Sequence, residues 1–174
     1  MRFAFLVPAA ALFLSGCMGY HLGPVKPKFM AGINSIAVPP FKNNTLRARV
    51  EVELADALIK QIQQDGTYQI RDGEDADAIV KGTLITVGRA PSRYVFGNVL
   101  LTEEYNLIIR CRFDVYKRST GQLLDHREVQ GQTTFFVNGT NAISVDVNSQ
   151  DRQAFPLAAE DLMVRYTSLL TEGW

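Results

Sequence analysis

Hydrophobic and polar positions change rhythm several times along the chain, and each rhythm predicts an element. Ile33 to Val38 is short, β-rich and stopped by Pro39-Pro40, so it reads as a first strand. From Lys42 to Gly66, Leu46, Val50, Leu54, Leu58 and Ile62 recur every fourth residue, with Ala57 beside them. Such a stripe predicts an amphipathic helix, with Asn44 or Thr45 as its N-cap and Gly66 at its end. Thr67 to Arg71 reads as a short strand, and Asp72 to Asp77 as a solvated acidic turn. The strand from Ala76 to Ala90 alternates imperfectly, as expected when both faces meet protein or a bulge intervenes at Gly82. Ser92 to Glu104 is expected to be a hairpin extension or a mobile loop.

Alternation is strongest from Glu104 to Lys117. Tyr105, Leu107, Ile109, Cys111, Phe113 and Val115 share one face, and Asn106, Arg110, Arg112 and Asp114 the other. A turn at Gly121 leads to a strand with Val129, Thr133, Phe135 and Val137 on a common face. The polar run from Asn138 to Asp151 is long for a connection in a small domain. Ala154 to Glu172 then reads as a helix, with Pro156 in its first turn and a stripe of Phe155, Ala159, Leu162, Tyr166, Leu169 and Leu170. These elements predict an α+β fold: a two-layer sandwich, β-α-β-β-β-α in type, with two helices on one face of a mixed, mostly antiparallel sheet of about four to five strands. The other face is left for solvent or a partner.

The N-terminal run fits none of this. After Arg2, Phe3 to Leu14 is uncharged but too short to span a hydrocarbon core, which needs roughly 20 residues. A positive start, a short apolar stretch and small residues at its end are the parts of an export signal. Leu14-Ser15-Gly16-Cys17 resembles a lipobox, the processing site of bacterial lipoproteins; an ordinary signal or a buried helix is the bland alternative. Cys17 is thus the expected lipidation site. The expected organisation is a signal peptide over 1–16, a lipidated tether over 17–32 and a single domain over 33–174. Met18 after the cysteine, where aspartate commonly retains such proteins at the inner membrane, favours the outer membrane.

Composition narrows the chemistry. Lys and Arg number 18 and so do Asp and Glu, which argues against a general nucleic-acid binder. With Cys17 lipidated only Cys111 remains, on an apolar face, where it reads as a small core residue rather than a reactive thiol. Glu74, Asp75 and Asp77 lack the spacing of a calcium loop, and no zinc spacing, phosphate loop or nucleophile elbow occurs. Asp125-His126 suggests a catalytic dyad, but neighbouring strand residues point to opposite faces. No metal site, cofactor or enzyme activity is expected. Asn43-Asn44-Thr45 and Asn138-Gly139-Thr140 read as a helix cap and a turn rather than glycosylation sites.

Taken together, the lipobox with "CMGYHLG", then "SIAVPPFKNNTLR", "YQI", "DADAIVKGTLI", "EEYNLIIRCRFDVY", "TGQLL" and "VQGQTTFF" resemble the LptE family of lipopolysaccharide-assembly lipoproteins. The resemblance covers nearly the whole chain after Cys17. It implies a small sheet covered by two helices, lipid-anchored and periplasm-facing at the outer membrane of a Gram-negative cell. The implied partners are an LptD-like outer-membrane β-barrel, in whose lumen the domain sits as plug and assembly aid, and lipopolysaccharide. The alternative is a lipid-anchored periplasmic adaptor of another envelope assembly or secretion complex.

Lipopolysaccharide carries phosphates, so basic loop residues are the candidates for touching it: Arg93 with Lys117 and Arg118. Tyr94, Phe96, Asn138 and Asn141 are the candidates for barrel contact. The family's basic contact loops correspond to residues 89–102 and 138–153. Residues 138–151 hold no basic residue here, so that ligand site does not carry over residue by residue.

Overall fold

A computed structural model describes residues 26–95, 98–137 and 147–172. The strands are β1 (Ser35–Ala37), β2 (Lys42–Asn43), β3 (Gln69–Ile70), β4 (Ala78–Val95), β5 (Asn98–Lys117) and β6 (Leu123–Phe136). The helices are α1 (Glu51–Asp65) and α2 (Val147–Thr171). In the sheet the order is β3-β1-β4-β5-β6, and β2 continues the line of β1 along the same edge of β4. β1, β2 and β3 pair in parallel, whereas β4, β5 and β6 form a long antiparallel meander. The expected α+β sandwich is therefore present, with a sixth strand because Lys42-Asn43, expected to lead into the first helix, pairs with β4 instead.

The alternation of β5 decides which face is covered. Leu107, Ile109, Cys111, Phe113 and Val115 are all fully buried beneath the helices. Tyr166 of α2 stacks on Phe113 with ring centroids 3.6 Å apart, and Phe41 meets Phe113 edge-on at 5.7 Å. Two glycines make this possible. A Cβ at Gly82 would collide with the Phe41 ring, and one at Gly131 with the Ala158 carbonyl and Leu162 of α2. Gly82 is therefore a packing position, not the bulge. The bulge falls at Ile85, between the pairs Leu84–Cys111 and Thr86–Arg110. It moves the core-facing set of β4 from even to odd numbers, and that is why its sequence alternates imperfectly.

Local expectations shift at both helices. α1 begins at Glu51, capped by Val50 without a side-chain hydrogen bond. Residues 44–50 are not helical, because Asn43 draws them into a turn. Its side-chain oxygen accepts from the Thr45 amide and hydroxyl, and its amide nitrogen donates to the Arg47 carbonyl and to Glu51. Leu46 consequently leaves the apolar stripe and is fully exposed. α2 starts seven residues before the expected Ala154, so Pro156 lies within the helix on its exposed side rather than in its first turn. Leu169 is exposed, and Ala154, Ala158 and Met163 take places in the buried stripe.

Two further segments are more tied down than expected. Met30 and Ile33 belong to the core, and Lys26 Nζ donates to the Ile33 carbonyl and the Asn34 side chain, so residues 26–32 pack on the domain rather than hang as tether. Asp77 is solvent-exposed, as expected of the turn, but it is also tied down. Its carboxylate accepts from the amides of Asn34 and Ser35 and from the Ser35 hydroxyl, which joins the start of β4 to β1.

Gly131→Ala is expected to destabilise the fold by about 1–3 kcal/mol, the usual cost of overpacking. Gly88→Ala, with open space around its Cβ, should stay within about 0.5 kcal/mol; urea unfolding of both variants checks the contrast. The Asn34 amide, then Ser35, hold the Asp77 carboxyl below its ordinary value of 3.8. The stability it contributes is present above that value and lost as pH falls through the lower folded one. Asp77→Asn should narrow the gap between the urea midpoints at pH 7 and pH 3; an unchanged gap would refute the role.

Candidate functional site

Three regions carry chemistry. The first is the open face of the sheet. Register sets Lys81, Asp114 and His126 in one row across β4, β5 and β6, with Arg112–Glu128 and Arg110–Gln130 in the next rows. His126 Nδ1 lies 2.5 Å from Asp114 Oδ1, and Arg112 donates to Glu128 at 2.9 Å. Farther toward the β4–β5 tip the rows become Gly88–Ile108–Gln132 and Ala90–Asn106–Thr134, which carry no charge. Asp125 faces the helices and pairs with Arg127, so it cannot serve His126. The carboxylate that His126 does meet comes from the neighbouring strand, a pairing that only register reveals.

The second region is the end where α1 and α2 both begin. Arg47 leaves the turn before α1, donates to Asp151 of α2 at 2.9 Å and lies over the Phe155 ring, its guanidinium carbon 4.2 Å from the centroid. Arg89 approaches the other Asp151 oxygen at 3.9 Å from the covered face of β4. Beside this cluster a cleft of about 630 Å³ is lined by Leu46, Arg47, Ala48, Arg49, Val50, Glu53, Asp151 and Arg152. Arg49 holds a left-handed backbone, with φ 65°. Arg47 and Arg89 were not among the basic candidates read from the sequence. Their shared acceptor lies over sixty positions away, and no local pattern announces it.

The third region comprises the residues expected to bind. Arg93 pairs with Glu104 at 3.3 Å near the β4–β5 tip, next to half-exposed Tyr94. Lys117 and Arg118 lie at the opposite end, in the β5–β6 turn, about 40 Å away at a strand rise of about 3.3 Å per residue. The structure therefore does not bring Arg93 together with Lys117 and Arg118. Arg118 also donates from Nε to the Ala76 carbonyl at 2.7 Å, which clamps the β3–β4 connection. Cys17, Phe96, Asn138 and Asn141 lie outside the described residues.

The remaining ionisable groups are structural. Burial pushes the Cys111 thiol up to about 12 and leaves it protonated and inert. Asp161 accepts the outward amide of Gln132 on β6 and the Arg165 guanidinium, both at 2.9 Å. Burial raises its carboxyl, but those two donors outweigh it and hold the group below its usual range. No group of three or more metal-ligating side chains occurs among the described residues.

Two helices thus seal one face of the sheet, and the other carries cross-strand rows of charges and amides together with Ile108 and exposed Phe136. The lipopolysaccharide-assembly family LptE matches residues 33–166, and the chain belongs to that family. No curated protein matches it in sequence. Among solved structures it is similar in fold to protein XCC0632 from Xanthomonas campestris, with TM-score 0.58, 9% identity and 86% of this chain covering 88% of that one. CT253 from Chlamydia trachomatis gives TM-score 0.55 at 7% identity, covering 80% and 96%. The PelC dodecamer from Paraburkholderia phytofirmans gives 0.53 at 14% identity, covering 87% and 95%. At such identities these likenesses concern the fold alone.

Asp151→Ala is expected to cost about 1–3 kcal/mol, because it strips Arg47 of a charge-assisted hydrogen bond in a half-buried setting. A thermal-unfolding double-mutant cycle with Arg47→Ala should show coupling of at least about 0.5 kcal/mol; additive losses would mean that the pair does not hold the two segments together.

Proposed function

We propose that the chain is a lipid-anchored partner of an LptD-like outer-membrane β-barrel, serving as plug and assembly aid while lipopolysaccharide is inserted into the outer leaflet. The family match over residues 33–166 carries this reading. The geometry supports it in physical terms. A wide barrel has a polar interior that would leak if empty. A rigid sandwich with rows of paired charges and amides on its open face can fill that space and keep those rows wet. The long β4–β5 hairpin extends Arg93 and Tyr94 beyond the helices, where they can meet the barrel or its cargo. Phe96, Asn138 and Asn141 are proposed as further barrel contacts, and Lys117 and Arg118 as basic groups at the other end. The function needs no catalysis.

Attachment is proposed to run through Cys17. Acyl chains add about 0.8 kcal/mol of membrane affinity per buried methylene, so a multiply acylated cysteine anchors firmly without a spanning helix. No helix among the described residues is long and apolar enough to cross a membrane.

Isolation from gently solubilised outer membranes tests the reading. Wild-type protein should come away in a one-to-one complex with a large β-barrel, and Cys17→Ala should leave the membrane fraction. Correctly anchored protein recovered without a barrel would refute this partner and favour an adaptor of another envelope assembly or secretion complex.

A further inference from the structure

The cleft between residues 46–50 and the first turns of α1 and α2 is not absorbed by the plug reading. Its walls differ in how firmly they are held. Arg47 is fixed by Asp151 and Phe155. The guanidiniums of Arg49 and Arg152 have neither hydrogen-bond nor ion-pair partners among the described residues, yet both residues line the cleft. Leu46 beside them is fully exposed and offers an apolar side chain at the cleft's rim.

We infer that this cleft binds a short acidic segment of a partner protein, one carboxylate held between Arg49 and Arg152 and an adjacent apolar side chain against Leu46. A guanidinium fork matches a carboxylate through two parallel hydrogen bonds, which makes arginine suited to such recognition. The lining also argues for a peptide over a phosphate-rich headgroup. Three arginines share it with Glu53 and Asp151, so the cleft is only slightly positive. A multiply charged phosphate group would face those carboxylates, whereas a peptide brings backbone N–H donors for them along with its own carboxylate. A volume of about 630 Å³ lies within the range of roughly 300–1,000 Å³ typical of compact ligand sites. The inference rests on the chain working within a protein assembly, but not on which protein that is.

The test places the photo-crosslinker p-benzoylphenylalanine at Ala48 in the full lipidated chain, in intact cells, with Ser119 at the far end as control. The expected result is a protein adduct at Ala48 alone, mapping to a peptide with Asp or Glu next to an apolar residue. Arg49→Glu with Arg152→Glu should lower it at least about tenfold, since like charges across an interface repel. Lysine at the mapped acid should restore it. Arg49→Gly with Arg152→Gln removes both guanidiniums while relaxing the left-handed backbone, and should weaken the adduct with the fold intact. No adduct, an adduct only with lipopolysaccharide, a mapped peptide without an acid, or full crosslinking in the charge-reversed chain would overturn the inference. A barrel that co-purifies without crosslinking at Ala48 sinks the cleft and spares the barrel reading. An acidic peptide from a protein that is not a barrel does the reverse.

Discussion

Everything in this domain depends on the seating of α2 against the sheet. Tyr166 stacks on Phe113 at the centre of the covered face, and the missing Cβ of Gly131 lets the helix backbone approach β6. Asp161 of the same helix reaches over the β6 edge to take the Gln132 amide. One helix thus closes the core and satisfies one outward amide of an edge strand that would otherwise offer it to another chain. The seating has a cost. Among the described residues the Tyr166 hydroxyl and the Thr167 Oγ1 are buried without a hydrogen-bond partner, a penalty of about 1–3 kcal/mol for a wholly unmet group. The aromatic stack and the apolar burial around it offset that penalty.

Sealing one face determines what the other can do. With Leu107 to Val115 turned toward the helices, the alternate residues of β5 must face outward, and they pair across strands as charges and amides. The open face is therefore built by the same alternation that builds the core. The plug role proposed above would need this division, because its outer surface must tolerate water while its interior holds its shape. The basic end is different in kind. Arg47, Arg89 and Asp151 come from three elements and meet only because α1 and α2 start at the same end of the sheet.

Much of the fold was legible in the sequence because it rests on periodicity. The alternation of β5 identified the buried face, Cys111 included, and the stripe from Leu54 to Ile62 identified α1. What escaped was decided by contacts distant in sequence. Leu46 continued the four-residue spacing, but Asn43 and the Arg47–Asp151 pair hold its segment out of the helix. Pro156 resembled a helix start, yet α2 begins seven residues before Ala154, where the chain is polar and Asp151 is held by Arg47. The bulge at Ile85 left only a blurred alternation, and Gly82 attracted the assignment because nothing local shows that Phe41 fills its space. Of the candidate site, the hairpin with Arg93 and Tyr94 was foreseen, whereas the grouping of Arg93 with Lys117 and Arg118 ignored the length of the strands between them.

The central claim is that α2 and the β4–β6 meander form one rigid body, so that the open face and the basic end are held in fixed relation to each other. Native-state amide hydrogen exchange tests it most directly. Core amides of residues 107–115 and of 158–166 should exchange through a common global opening, with matching free energies and the same dependence on urea. If α2 exchanged through a separate opening far more readily than β5, the helix would be a loosely held cover, and a rigid sandwich could not be the basis of function.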